Sequence, residues 1–130
     1  MSTKEKKNLI IITHGIDDGI RQVLFSLQYA VTMVNMNLDV TIFLTGLAVR
    51  WSYKELAQLR GCGDFVKALD YLSIFVDAGG KVKVCTTCYE NEMIVTHKEQ
   101  EIANTLIKGA ELVGLAEVAE LSLVSNVLVF

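Results

Sequence analysis

Proline is absent from this chain of 130 residues, so no site here can be built on a cis X–Pro bond. Cysteine is scarce and odd in number, three in all, and no export signal accompanies it. A structural disulfide framework is therefore not expected, and thiol, redox or metal roles gain weight. Positive charge is also limited, with twelve Lys and Arg against fifteen Asp and Glu, a net charge of -3 and a pI near 5.3. The basic residues are scattered, so the footprint of a nucleic-acid binder is missing. No long apolar run occurs either. The longest charge-free segment, between Arg21 and Asp39, is broken by Gln22, Ser26, Gln28, Thr32, Asn35 and Asn37, which would be costly in lipid. Lys4, Lys6 and Lys7 precede Leu9 to Ile12 in signal-peptide order, but the run stops at Thr13-His14-Gly15, short of the roughly 7–15 residues of such a core. Residues 1–7 read as a flexible tail, and the chain is expected to be soluble and cytoplasmic, with no membrane partner.

What is present is 52% hydrophobic, enough for a core and slightly more than a monomer of this size needs to hide. That surplus points to a subunit interface. No linker or repeat divides the chain, so residues 1–130 read as a single domain. Five short apolar runs alternate with helical patterns, the signature of an α/β layered fold with about five mainly parallel strands flanked by helices. The strands are expected at Leu9–Thr13, Asp39–Leu44, Lys81–Cys85, Ala110–Gly114 and Asn126–Phe130. Ile20, Leu24, Leu27, Val31 and Val34 follow helical spacing, with Asp17 or Asp18 as the cap. Ser52-Tyr53-Lys54-Glu55 fits a capping box for a short helix reaching Gly61. Asp64 opens another helix, with Phe65, Leu69, Leu72 and Val76 on one face, closed by Gly79-Gly80. Glu99–Lys108 and Leu115 to about Ser122 complete the helical patterns. Strand order does not follow from the pattern.

Cys85 falls where an apolar strand ends and a new helical segment begins, the edge of a parallel sheet where ligands and catalytic groups collect. A helix N-terminus there favours a thiolate, while the nearby acids Glu90 and Glu92 act in the opposite sense. Cys85-Thr86-Thr87-Cys88 admits several readings. The two cysteines can be small buried residues at the sheet edge. A zinc site would need further ligands, and Cys62, His14 and His97 are not paired at ligand spacing. Thioredoxin-type exchange matches the Cys-x-x-Cys spacing but lacks the cis-proline that faces the cysteines in that family. A non-thioredoxin redox dithiol stays open.

A fourth reading comes from resemblance. Val82-Lys83-Val84-Cys85-Thr86-Thr87-Cys88 resembles the DsrE/DsrF-like family, in which a strand runs straight into a cysteine that commonly has a second one three residues later. The glycine-bounded first strand, Tyr29-Ala30-Val31 in a long helix, Val40 to Gly46, and the closing Leu115 to Ala119 and Val127 to Phe130 are similar to family segments as well. The resemblance implies a DsrE/YchN-like fold and a sulfur carrier or sulfurtransferase role, with sulfur held as a persulfide on Cys85 and passed to a partner thiol, and Cys88 as the resolving residue. It implies sulfur-donor and sulfur-acceptor proteins or small sulfur compounds as partners, no cofactor or metal, and a homo-oligomer, trimer or hexamer. Many members follow the pair with Arg-Gly, whereas this chain has Tyr89-Glu90-Asn91-Glu92, which bears on donor and acceptor more than on fold. A non-catalytic oligomeric module that binds a ligand or protein is the competing class.

Other residues offer accessory roles. His14 ends the first strand and can share an edge with Cys85. Cys62, between Gly61 and Gly63, has room to receive sulfur or form a transient disulfide. Asp17 and Asp18 suit a helix cap better than a metal pair. Trp51 and Tyr53 would either line a groove or anchor their loop to the core. His97 shows nothing beyond a loop. Thr13 to Gly19 lacks both the Walker lysine and the dinucleotide fingerprint, so nucleotide binding is a weak alternative.

Overall fold

The computed structural model describes residues 6–15, 19–53, 63–96 and 106–130, of which 63–66 and 92–96 are described by backbone alone. Five strands form one sheet: β1 (Lys7–Ile12), β2 (Asp39–Leu44), β3 (Lys81–Cys85), β4 (Ala110–Val113) and β5 (Ser125–Val129). Their order is β4-β3-β2-β1-β5, and every pairing is parallel. Parallel strands need crossovers, and these contain α1 (Ile20–Asn35), α2 (Gly63–Asp77), α3 (Thr86–Thr96) and α4 (Leu115–Leu123). A 3-10 turn spans Gly46–Ser52 between β2 and α2.

The first three crossovers step the same way along the sheet, whereas the connection from β4 to β5 returns across it. Right-handed crossovers therefore put α1 and α2 on one face and α4 on the other. Register and alternation assign the side chains. Ile10, Ile42 and Val82 lie in one cross-strand row and Ile12, Leu44 and Val84 in the next, and all six are buried in the main core with Leu27, Ala30, Leu72 and Phe75. The central strands are apolar on both faces because both are covered. On the α4 face Leu9, Thr41 and Phe43 are buried as well. Thr41 and Lys83 share a cleft there with Glu117, Glu120, Leu121 and Val124.

Several boundaries depart from expectation. α1 starts at Ile20 with Gly19 as its N-cap and no side-chain cap, while Asp17 and Asp18 lie outside the described residues. Val23, Ser26 and Ala30 join Leu27 and Val34 as its buried residues. Ile20, Leu24 and Val31 only flank the core, so the buried stripe is rotated from the one read off Ile20. Ser52 does not open a helix. It closes the 3-10 turn, and its hydroxyl donates to the Val49 carbonyl at 2.6 Å. The remainder of that expected helix, and Glu99 to Thr105 of another, lie outside the described residues. Leu106 to Lys108 are not helical: Leu106 makes an antiparallel bridge with Tyr53, and the Ile107 N–H donates to the Ser52 carbonyl. On α2, Ala68 and Phe75 are buried alongside Leu72.

Candidate functional site

All five strands run the same way, so their carboxyl ends share one edge. Thr13 and His14 leave β1 there, Thr45 and Gly46 leave β2, and Cys85 ends β3. The return connection makes the junction of β3 and β4 the point where outgoing crossovers diverge to opposite faces. In open α/β sheets, ligand crevices form outside the strand ends at such a point. Cys85 pairs with Val113 across it.

α3 follows β3 without a loop, so Cys88 sits in the first turn of this helix. Three contacts fix that turn. The Thr86 hydroxyl donates to the Val113 carbonyl at 2.9 Å. Tyr89 is buried against Tyr53, with ring centroids 5.3 Å apart in an edge-to-face arrangement. The Cys88 thiol and the Thr45 hydroxyl are 3.6 Å apart, and either can donate. The turn is thus held by β4, by the end of the 3-10 turn and by the end of β2, which removes much of the freedom a surface thiol would have.

Neither cysteine is in a disulfide and the two approach to 3.4 Å, but they differ in exposure. Cys85 is 3% exposed and belongs to the main core. Cys88 is half-buried and opens on a shallow pocket of about 230 Å3 lined by Gly46, Leu47 and Asn91. Gly46 has φ +59°, the left-handed conformation that glycine tolerates best. The helix-dipole end of α3 faces the same edge.

His14 is placed at the carboxyl edge, as its position after β1 implies. Its carbonyl accepts the Trp51 indole N–H at 3.1 Å, and its ring lies close enough to Gly19 that a side chain there would collide with it. Trp51 and Tyr53 are both buried, so they anchor their segment rather than overhang the edge. Glu90 is exposed. Cys62 and His97 lie outside the described residues. Among the described residues no group of three or more His, Cys, Asp or Glu converges as metal ligands. Sequence reasoning missed Thr45 and Gly46 as neighbours of the pair. The signal was available in principle, because Thr45-Gly46 ends the strand that lies beside β3, but strand order was needed to use it.

Comparison with known proteins bears on this arrangement. The model of the DsrE/DsrF-like family matches residues 6–130. The chain belongs to the DsrE/DsrF-like family. That family is associated with sulfur relay. The crystal structure of the ychN protein from E. coli is similar at a TM-score of 0.71 and 29% identity, covering 95% of this chain and 99% of that one. A conserved protein of unknown function from Bacteroides thetaiotaomicron has a TM-score of 0.55 at 16% identity, with 95% of each chain covered, and shares the fold alone. No curated protein sequence matches the chain. As a DsrE/DsrF-like protein it has the expected α/β fold, and no helix among its described residues is long and apolar enough to cross a membrane.

Proposed function

We propose that this DsrE/DsrF-like chain is a sulfur carrier that holds sulfur as a persulfide on the Cys85–Cys88 pair and passes it to a partner thiol. The observation that carries the reading is the pair itself: two reduced thiols, close together, at the carboxyl edge of a parallel sheet, one of them opening on a pocket. The chemistry is attack by a thiolate on the outer sulfur of a donor, and it needs no metal or organic cofactor. Its partners are sulfur-donor and sulfur-acceptor proteins or small sulfur compounds, and its setting is the reducing cytoplasm, where free thiols persist.

The carrier works as a homo-oligomer. Support comes from apolar surface around the edge strand β5, where Leu123, Val124, Val127, Leu128 and Val129 are exposed together. An open strand edge flanked by such residues is usually covered. A trimer or hexamer is the form the family resemblance implies.

Intact-mass measurement after exposure to a persulfide donor tests the carrier reading. The wild-type chain gains sulfur, and a Cys85→Ser/Cys88→Ser double variant gains none at either position. Equal sulfur uptake by the double variant would remove the pair from the function. The closeness of the thiols also favours a second reading, reversible dithiol–disulfide exchange. In that case the pair oxidises readily in a glutathione redox buffer while sulfur donors leave no persulfide.

A further inference from the structure

We infer that Cys88, rather than the strand-end Cys85, is the thiol through which sulfur enters and leaves, and that Cys85 is the sheltered residue to which it is handed. This rests on the sulfur-carrier reading above. Strand-end position alone expects sulfur to arrive at Cys85, and burial reverses that order. A persulfide donor must bring its S–S bond in line with the attacking sulfur, so exchange rates depend on access as well as on the thiolate fraction. Cys85 at 3% exposure offers little approach. Cys88 lines the open pocket with Gly46, Leu47 and Asn91. Exposed Leu47 supplies an apolar contact for the body of the donor. Thr45 is a positioning residue here, because its hydroxyl meets the Cys88 thiol at 3.6 Å.

The steps balance without an external oxidant. The Cys88 thiolate attacks the outer sulfur of a persulfide R–S–SH. A Cys88 Sγ–S bond forms, the donor S–S bond breaks, and R–S⁻ leaves with the electron pair and takes up the proton released from Cys88. The Cys85 thiolate then attacks the outer sulfur of the Cys88 persulfide, which moves the sulfur one residue inward and returns Cys88 to a thiolate. Release runs the same exchange backwards, onto an acceptor thiol at Cys88. Attack by Cys85 on the inner sulfur instead gives a Cys85–Cys88 disulfide and hydrosulfide. In that branch the two thiols are oxidised and the carried sulfur is reduced, so it discharges the carrier when no acceptor is present.

Glutathione persulfide is the probe, applied to the wild type, Cys85→Ser and Cys88→Ser, with peptide mapping to locate the sulfur. Cys85→Ser should take up sulfur on Cys88 at close to the wild-type rate, whereas Cys88→Ser should load about tenfold or more slowly, because only the sheltered thiol is left. Iodoacetamide on the wild-type chain provides a check that needs no variant: Cys88 should be alkylated well before Cys85. If Cys88→Ser loads Cys85 at the wild-type rate, or if Cys85 is alkylated as fast as Cys88, the inference is overturned while the carrier reading stands. If the wild type gains no sulfur, or gains it only at Cys62, both fall.

Discussion

On the sheet face beneath α1 and α2, Ile10, Ile12, Ile42, Leu44, Val82 and Val84 are essentially inaccessible, whereas on the face beneath α4 the rows run out to Val127 and to Val129 at 64% exposure. α1 alone buries five residues, and α4 buries only Val118. The second face relies instead on charge at its centre, where Lys83 pairs with Glu111 on β4 and with Glu117 on α4. One face is closed mainly by apolar packing within the chain, with Leu128 left exposed at its β5 edge. The other is held partly by ions and leaves apolar surface beside β5, as a subunit that meets further copies would. The carboxyl edge that carries the cysteine pair lies between the two, because β3 ends where crossovers to the opposite faces diverge.

If the first face carries the stability, truncation there should be the most damaging change. Phe75→Ala, which empties a fully buried ring site, should cost about 3–5 kcal/mol in denaturant unfolding. Val118→Ala on α4 should cost roughly 1–2 kcal/mol, since a smaller and less enclosed side chain is lost. Equal costs would erase the distinction. Gly80 sharpens the same point: a Cβ there would run into the Phe75 ring, while the Gly80 N–H donates to the Phe75 carbonyl at 2.9 Å and holds the two backbones together. Gly80→Ala should therefore destabilise by about 1–3 kcal/mol through overpacking.

The second face predicts a different kind of failure. Val129→Lys places a charge on the exposed end of β5 and should leave the unfolding of each subunit nearly unchanged while shifting the light-scattering mass towards monomer. A variant that stays assembled would move the interface away from β5. Because contacts among apolar surfaces are little screened by salt, high salt should not dissociate the wild type.

Much of the fold is legible in the sequence because β1 and β2 are largely apolar runs and β3 alternates Lys with Val before its cysteine. Asp39–Leu44 and Lys81–Cys85 are found where expected. Periodicity is less informative where burial is partial. α1 is amphipathic whichever apolar residues are counted, so Leu27 and Val34 follow from the spacing whereas Val23 and Ala30 emerge only from packing. Ser52 shows the limit of local motifs, since the same serine that suits an N-cap can hydrogen-bond backwards and close a 3-10 turn. At the site, Cys85 and Cys88 are visible from spacing. Their unequal exposure is not, because it depends on β4 pairing with β3 and on Thr45 and Gly46 arriving from the neighbouring strand. That adjacency lies in the strand order, which no one-dimensional pattern contains.

The smallest expected effect belongs to the ionic centre of the α4 face. The Lys83 side chain is 16% exposed and donates to Glu111 at 2.8 Å and to Glu117. Hydrogen bonds donated to Glu111 and then to Glu117 raise the Lys83 pKa above its ordinary 10.5. The hydrogen bond from Lys83, reinforced by its charge, lowers that of Glu111 below its ordinary 4.5. A depressed carboxylate contributes stability that is present above its unfolded pKa and lost as pH falls through the folded one; a raised lysine contributes stability that is present below its unfolded pKa and lost as pH rises through the folded one. The pairs should therefore contribute evenly near neutrality and fade below about 4.5 and above about 10.5. Both carboxylates are largely exposed, so water and salt screen the interaction, and Lys83→Met should change stability at neutral pH by about 1 kcal/mol or less. The informative readout is the shape of the curve. Unfolding midpoints measured across pH should show a weaker acid limb in Lys83→Met than in the wild type, and the difference should shrink at high salt. An acid limb unchanged by the substitution would mean that α4 is held by Val118 and its neighbours alone, and that the charged centre contributes nothing to closing this face.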